Sequence, residues 1–551
     1  MIRLTELKLP LNHASDALTA LMAQTLGCKP ENITGFTIYK RSFDSRKAQV
    51  LQVYTVDLTL NPALEAALLL RSAGHPHIAA APDLQYHPVV QAPSLLPRRP
   101  VVVGFGPCGI FAALLLAQMG FRPVVLERGK AVRERTKDTW GLWRKNQLNP
   151  ESNVQFGEGG AGTFSDGKLY SQIKDPRHLG RKVIDEFVRA GAPADILFEA
   201  HPHIGTFKLV KVVENLRAQI IALGGEIRFR HRVTDVLLEK GAQGLQLRGL
   251  TVHDGQTETS HELLADHVVM ALGHSARDTF SMLFERGVSL QAKPFSIGFR
   301  IEHPQGLIDR ARWGRHAGNA LLGAADYKLA HHAQNGRAVY SFCMCPGGTV
   351  VAATSEFGRV VTNGMSQYSR NERNANAGIV VAIEPSDFGG ERLSNGEVSP
   401  LAGIALQRAL ESQAYVLGGS NYDAPVQLVG DFIADRPSTQ LGSVTPSYQP
   451  SVKLGSLSQA LPDYAIEAIR EALPAFGKKI KGFDMDDAVL TGVETRTSSP
   501  LRMPRGENFQ SSNVRGLYPA GEGAGYAGGI LSAGVDGIKV AEALARDILN
   551  R

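Results

Sequence analysis

Apolar positions along this chain recur in two periods, and the order in which the periods alternate divides it. Leu4, Leu7 and Leu9 predict a strand, and residues 17–26 carry helical spacing stopped by Gly27. Residues 33–43 and 50–60 read as strands around a polar connection at 44–48, and 62–72 as a second helix. That β-α-β-β-α order predicts a small ferredoxin-like α+β domain over 1–90. Six prolines between residues 74 and 100 mark a linker. Beyond it, Val101–Val103 is a branched apolar run of the kind that forms a buried parallel strand. Residues 110–119 are apolar on every side and stop at Gly120, and 123–126 form a second strand ending in Glu127. A polar helix at 132–146, helical spacing at 209–223, strands at 226–230 and 232–238, and an apolar run at 267–276 broken by Gly273 continue a doubly wound sheet. Residues 290–480 mix strand-like runs (296–301, 338–344, 350–354) with helices (401–417, 464–473). The sheet pattern returns at 517–520, followed by a turn and a long helix from Ile530.

The junction at 104–127 gives the pattern a chemical meaning. Gly104, Gly106 and Gly109 stand in G-x-G-x-x-G spacing directly after a strand, and Pro107 sits where a helix begins and needs no N–H. Gly104 permits the tight turn, Gly106 lets a pyrophosphate approach the backbone, and Gly109 lets helix and strand pack closely. The helix start, with Cys108, offers unpaired N–H groups to phosphates. Glu127 ends the second strand where a carboxylate accepts ribose hydroxyls and disfavours a 2′-phosphate, and Arg128 follows it into the same site. A dinucleotide is therefore expected here, NADP excepted. A second glycine-dense stretch, GEGGAGTFSDGKL, brings Gly159, Gly160 and Lys168 beside this fold as a cofactor-covering loop rather than a flexible surface loop.

Composition narrows the classes. At 551 residues, with 43% hydrophobic and 20% charged positions, the chain is a globular protein of two to four domains. A net charge of +6 permits an anionic substrate but does not argue for nucleic acid, although Lys40, Arg41, Arg46 and Lys47 cluster around the 44–48 connection. Four scattered cysteines make no disulfide framework, no apolar leader is evident, and no run is long enough for a bilayer; a cytoplasmic protein is expected.

Three blocks together, the fingerprint at 101–127, HVVMALG ending at Gly273, and YPAGEGAGYAGGI at 518–530, resemble FAD enzymes of the glutathione-reductase and fumarate-reductase type. With GEGGAGTFSDGKL, FSIGFRIEHPQ, SFCMCPGG and GVETRTSSPLR, the whole chain resembles a family of bacterial FAD-dependent dehydrogenases carrying an extra N-terminal α+β domain. The resemblance implies noncovalent FAD, with Glu522 on the ribitol, Gly521, Gly528, Gly529 and Ile530 toward the pyrimidine end of the flavin, and the backbone near Val233 at the adenine. It implies an α/β fold: an N-terminal ferredoxin-like domain (1–90), a Rossmann-type FAD-binding domain (91–285), an inserted α+β substrate or cap domain (286–485) and the C-terminal return of the FAD domain (486–551). No second nucleotide fold is visible. Electrons then come from NAD(P)H bound transiently, from a protein donor, or from the substrate.

Candidates for the chemistry lie in the insert. Cys343 and Cys345, one residue apart, read either as small buried hydrophobes or as thiols facing flavin or substrate, and one spacer is poorer than two for a disulfide. Cys108 reads as packing under the cofactor. Arg300, with Glu302 and His303, and Arg496, with Glu494, suit either an interdomain ion-pair network or a pocket for a carboxylate or phosphate. His203, near His201, is a candidate proton donor or a turn residue. No metal site is expected. The expected function is an FAD-dependent oxidoreductase exchanging hydride between flavin and an anionic small molecule. The alternatives are an FAD-containing RNA-modifying or RNA-binding protein and a redox-regulated partner-binding flavoprotein. Oligomeric state is left open.

Overall fold

The computed structural model describes residues 1–551 except Ala48, Ala242, Gln243, Glu391 and Arg551, so one end of the 44–48 connection lies outside the described residues. At its centre five short strands run parallel, in the order Leu517–Pro519, Val268–Met270, Val101–Val103, Val124–Glu127, Glu226–Phe229. In chain order this is 5-4-1-2-3, with the fingerprint strand in the middle, where the doubly wound topology reverses direction. Helix Pro107–Gln118 is buried from Cys108 to Ala117 and packs between Thr206–Ala222 and the C-terminal Ile530–Leu549. A helix apolar on all sides must be enclosed in this way. Close packing needs the glycines it carries and meets: a Cβ at Gly109 would lie 2.0 Å from the Gly104 carbonyl oxygen, and one at Gly537 would lie 2.3 Å from that of Cys108.

The antiparallel strands His231–Gly241, Gly244–Asp254 and Thr259–Leu264 form an excursion beside this sheet. A separate sheet of eight strands occupies the middle of the chain. Its central strand Phe295–Pro304 lies between Asn374–Ile383 and Val489–Glu494. The last of these lies beyond residue 485, so the return to the parallel sheet starts later than the sequence pattern suggests. Residues 338–344 and 350–354, read as two strands meeting a Gly-Gly turn, are one strand, Ala338–Ala352, ending at 352. Two register shifts interrupt it, one between Phe342 and Cys345 and one between Cys345 and Gly348, and the second absorbs the Pro-Gly-Gly. Bulges of this kind tolerate residues that a regular ladder rejects.

The first eighty residues form a four-stranded antiparallel sheet in the order Ile33–Asp44, Leu51–Leu60, Ile2–Pro10, Ile78–Ala80, with helices Ala17–Leu26 and Pro62–Arg71. The linker therefore starts after Ala80. This sheet docks on the rest of the protein: Arg41 exchanges backbone hydrogen bonds with Phe198 and Ala200 and pairs with Glu199. Arg46 pairs with Asp44. Two of the four clustered cations are thus engaged within the molecule. Among the described residues no helix is long and apolar enough to cross a membrane.

Candidate active site

The parallel strands end at one edge, and across it lies the middle sheet, leaving a cavity of about 390 Å³ between them. The fingerprint turn forms its floor. Gly104 has φ +96°, and a Cβ there would strike the Ala271 carbonyl oxygen at 2.3 Å. The carboxylate of Glu127 accepts N–H bonds from Phe105 (2.8 Å), Gly129 (2.8 Å) and Gly157 (3.0 Å). It thereby ties the turn to the glycine loop that follows.

That loop is pinned, not loose. Gly159 donates to the Phe105 carbonyl at 2.8 Å, and Gly160, at φ +60°, lies so close that its Cβ would sit 2.8 Å from the Gly106 Cα. Arg135, wholly buried, donates to the carbonyls of Asn153, Val154 and Glu158 at 2.6–2.7 Å, and burial pulls its guanidinium down to about 10. Arg135 escaped the sequence reading because it belongs to a helix that looks merely polar.

Gly104, Gly106, Pro107, Cys108, Glu127, Arg128, Gly160, Lys168, Val233, Gly273, Gly521, Glu522, Gly528, Gly529 and Ile530 all line the cavity. Gly109 and Gly159 do not; they act behind it, in packing. Two helices present their first residues here, Pro107 and Ile530. Cβ atoms at Gly273, Gly528 and Gly529 would meet nothing within 4 Å, so bare backbone faces the space. Two helix N-termini, an acid at the tip of the second strand and exposed glycine backbone together fit a dinucleotide with a flat ring at one end. Cys108 is buried, and burial pushes its thiol well up, which leaves it a packing group. Arg128 stacks on Phe156 at 4.1 Å and is held by Glu151 and Asp278. Burial pushes the Glu522 carboxyl up to about 7. His274, 4.0 Å from Glu522, is held down at about 3 by burial and by Arg496 and Arg277, and so is neutral.

The middle sheet supplies the opposite wall through Phe342, Cys343, Thr362 and Asn363. Cys343 has φ +42°, a left-handed conformation that costs a non-glycine residue about 1–3 kcal/mol. Its thiol is held below its ordinary value by the neighbouring Cys345 thiol, with Arg300 and Lys168 adding to the effect against burial. Lys168 donates to the Met344 carbonyl, between the two cysteines. Cys345 is fully buried and does not line the cavity.

The expected cations and histidine are engaged by partners within the protein, and of the three only Arg496 lines the cavity. Arg300 has no exposed surface and does not line the cavity. Nε and Nη2 bind Glu494 at 3.0 and 2.8 Å, and Nη1 donates to the Cys343 carbonyl (3.1 Å) and Asn376 (2.9 Å). Glu302 and His303 are buried away from the cavity, bound to Ser447 and to the Phe483 carbonyl. Arg496 lines the cavity, but its guanidinium binds Glu411 at 2.9 and 2.8 Å, and Ser275 and Ser355. Glu411 also binds Arg277, so one buried carboxylate joins two arginines. His203 lies off the cavity, stacked on Tyr368 and bonded to its carbonyl, and His201 faces Asp326.

Comparison with known proteins agrees with the cofactor. A family model described as FAD-dependent protein, C-terminal domain-like, matches residues 294–497, which takes in the whole span from Phe295–Pro304 to Val489–Glu494. A model of a domain of unknown function matches residues 1–59. An uncharacterized protein of Clostridium beijerinckii is 46% identical over 548 residues, 98% of each chain. Solved structures similar to this chain include a flavoprotein/dehydrogenase from Cytophaga hutchinsonii (12% identity, 82% of this chain and 79% of that one, TM-score 0.34). Another is the 3-ketosteroid-Δ4-(5α)-dehydrogenase of Rhodococcus jostii (12%, 83% and 99%, TM-score 0.35). Scores this low say nothing of substrate. The cofactor of this protein is FAD, and the chain belongs to the family of the Clostridium beijerinckii protein, a family of FAD-dependent proteins.

Proposed function

We propose that this protein is an FAD-dependent oxidoreductase in which flavin exchanges hydride with a small anionic molecule held against the middle sheet. The observation that carries the reading is one cavity in which two helix N-termini meet a wall of Cys343, Lys168 and Asn363 from outside the nucleotide-binding sheet. Bound there, FAD supplies two-electron chemistry at a flat ring. The chain does the rest. Gly104, Gly106 and the helix start at Pro107 hold the pyrophosphate, Glu127 the ribose, and Val233 the adenine end. Glu522, Gly528, Gly529 and Ile530 hold the ribitol and pyrimidine end. Glu522 carries a proton below about pH 7 and accepts hydrogen bonds above it. Lys168 spends one of its three N–H groups on Met344, which leaves its charge to draw an anion. Arg300 lies off the cavity and positions Cys343 through its carbonyl, His203 lies off it too, and Arg496 borders it with its guanidinium bound to Glu411, Ser275 and Ser355. The middle sheet is an inserted cap. The N-terminal sheet order, 2-3-1-4 in chain order, supports a ferredoxin-like unit.

The electron source is read directly from the visible flavin spectrum under anaerobic conditions, before and after NADH or NADPH. Bleaching by either makes a pyridine nucleotide the donor. A spectrum that only dithionite bleaches assigns the electrons to a protein donor or to the substrate. A colourless protein that cannot be reconstituted with FAD refutes the proposal.

A further inference from the structure

Cys343 and Cys345 stand in a geometry that a regular strand does not give. Residues i and i+2 of a strand are about 6.7 Å apart, at the limit of disulfide reach. Here the ladder is broken between them: Phe342 faces Gly378 and Cys345 faces Asn376, so three steps on one strand oppose two on the other. The surplus residue puts Cys343 at φ +42° and turns it to the cavity, while Cys345 stays fully buried behind it. The Cys345 thiol folds back on Cys343 and donates to its carbonyl oxygen at 3.4 Å. Two cations converge on the same three residues, Arg300 on the Cys343 carbonyl and Lys168 on that of Met344. Packing of small apolar thiols requires neither the strained backbone nor the buried charge.

We infer that Cys343 and Cys345 form a dithiol–disulfide couple in the cavity wall, and that small disulfides or thiols are the substrate class of this site. The inference rests on the FAD-dependent oxidoreductase reading and deepens it. The Cys343 thiolate attacks an external disulfide R–S–S–R, forming a mixed disulfide and releasing one R–S⁻. That thiolate takes the Cys345 proton, and the Cys345 sulfur then displaces the second R–S⁻ from Cys343. The resulting Cys343–Cys345 disulfide is opened by two electrons and one proton from reduced flavin, which restores one thiolate and one thiol. Cys343, part-buried and lining the cavity, attacks; Cys345, fully buried behind it, resolves.

The test uses the yellow holoprotein. Thiols are counted after denaturation in samples poised with oxidised or reduced glutathione. The couple predicts two free thiols (Cys28 and Cys108) in the oxidised sample and four in the reduced one. The missing pair maps by mass spectrometry to one peptide lighter by two hydrogens. Anaerobic dithionite titration of the oxidised protein then takes four electrons per FAD, and two in Cys343→Ser, which has no attacking thiol. Should that variant lose FAD, the thiol count on the wild-type chain decides alone. Four free thiols at every poise, with two electrons per FAD, overturn the couple while leaving a flavin oxidoreductase in place.

Discussion

Glu411 is the sharpest place to test how the middle sheet is fastened to the nucleotide-binding core. It comes from helix Ala402–Leu417, while Arg277 starts the helix that follows the core strand Val268–Met270, and Arg496 follows the last strand of the middle sheet. The carboxylate is fully buried and accepts from Arg277 (2.7 and 3.1 Å), Arg496 (2.9 and 2.8 Å) and Thr495 (2.9 Å). Glu411→Gln keeps the shape and removes the charge. Arg277 retains Glu356, but Arg496 is left without an anion and faces an amide N–H. Breaking a buried pair costs about 3–5 kcal/mol. For a unit of 150–250 residues that lowers Tm by about 6–20 °C. The two arginines hold the Glu411 carboxyl well below its ordinary 4.5 despite burial. Its stabilisation is therefore present above pH 4.5 and fades as pH falls below it. Thermal melts of both proteins across pH 3.5–8, followed by circular dichroism and by flavin fluorescence on release, read both effects. The gap between them is expected to be widest near neutrality and to narrow below pH 4.5. A variant melting within 2 °C of the parent at pH 7 would refute the clamp.

Two further outcomes follow from contacts described above. Gly160→Ala puts a methyl 2.8 Å from the Gly106 Cα in a backbone of φ +60°; it is expected to weaken FAD at least tenfold in an apoprotein titration, and unchanged affinity would exclude close apposition of the two loops. Arg41→Ala removes a half-buried pair with Glu199 worth about 1 kcal/mol. Its expected effect is faster proteolytic cleavage in the linker beyond Ala80 with an unaltered flavin spectrum, and equal cleavage rates would deny the pair a docking role.

What sequence pattern could reach was whatever short-range spacing encodes. The fingerprint, the acid ending the second strand and the late glycine block each rest on neighbours within thirty residues, and all of them meet in one cavity. Arg300 shows where that reach ends. Its alternation in FRIEHP marks a strand, but the partner that consumes its charge, Glu494, comes from a strand nearly two hundred positions away. Arg277 and Glu411 carry the same lesson: a charge on the buried face of a helix is visible only once the face is known. The Pro-Gly-Gly after Cys345 suggested a turn because punctuation residues usually break strands; a partner strand that tolerates a bulge overrode it.

The enclosure of helix Pro107–Gln118 has a consequence for how the protein is made. Its cover on one side, Ile530–Leu549, is the last helix of the chain. At about 5–20 residues per second, the ribosome needs about 20–80 s to reach the cover after the helix has emerged. Throughout that interval this apolar helix lacks one of its two partners, and the cavity lacks the wall that Ile530 supplies. Nascent chains should therefore depend on a holding chaperone, and C-terminal truncations should aggregate before they can acquire colour.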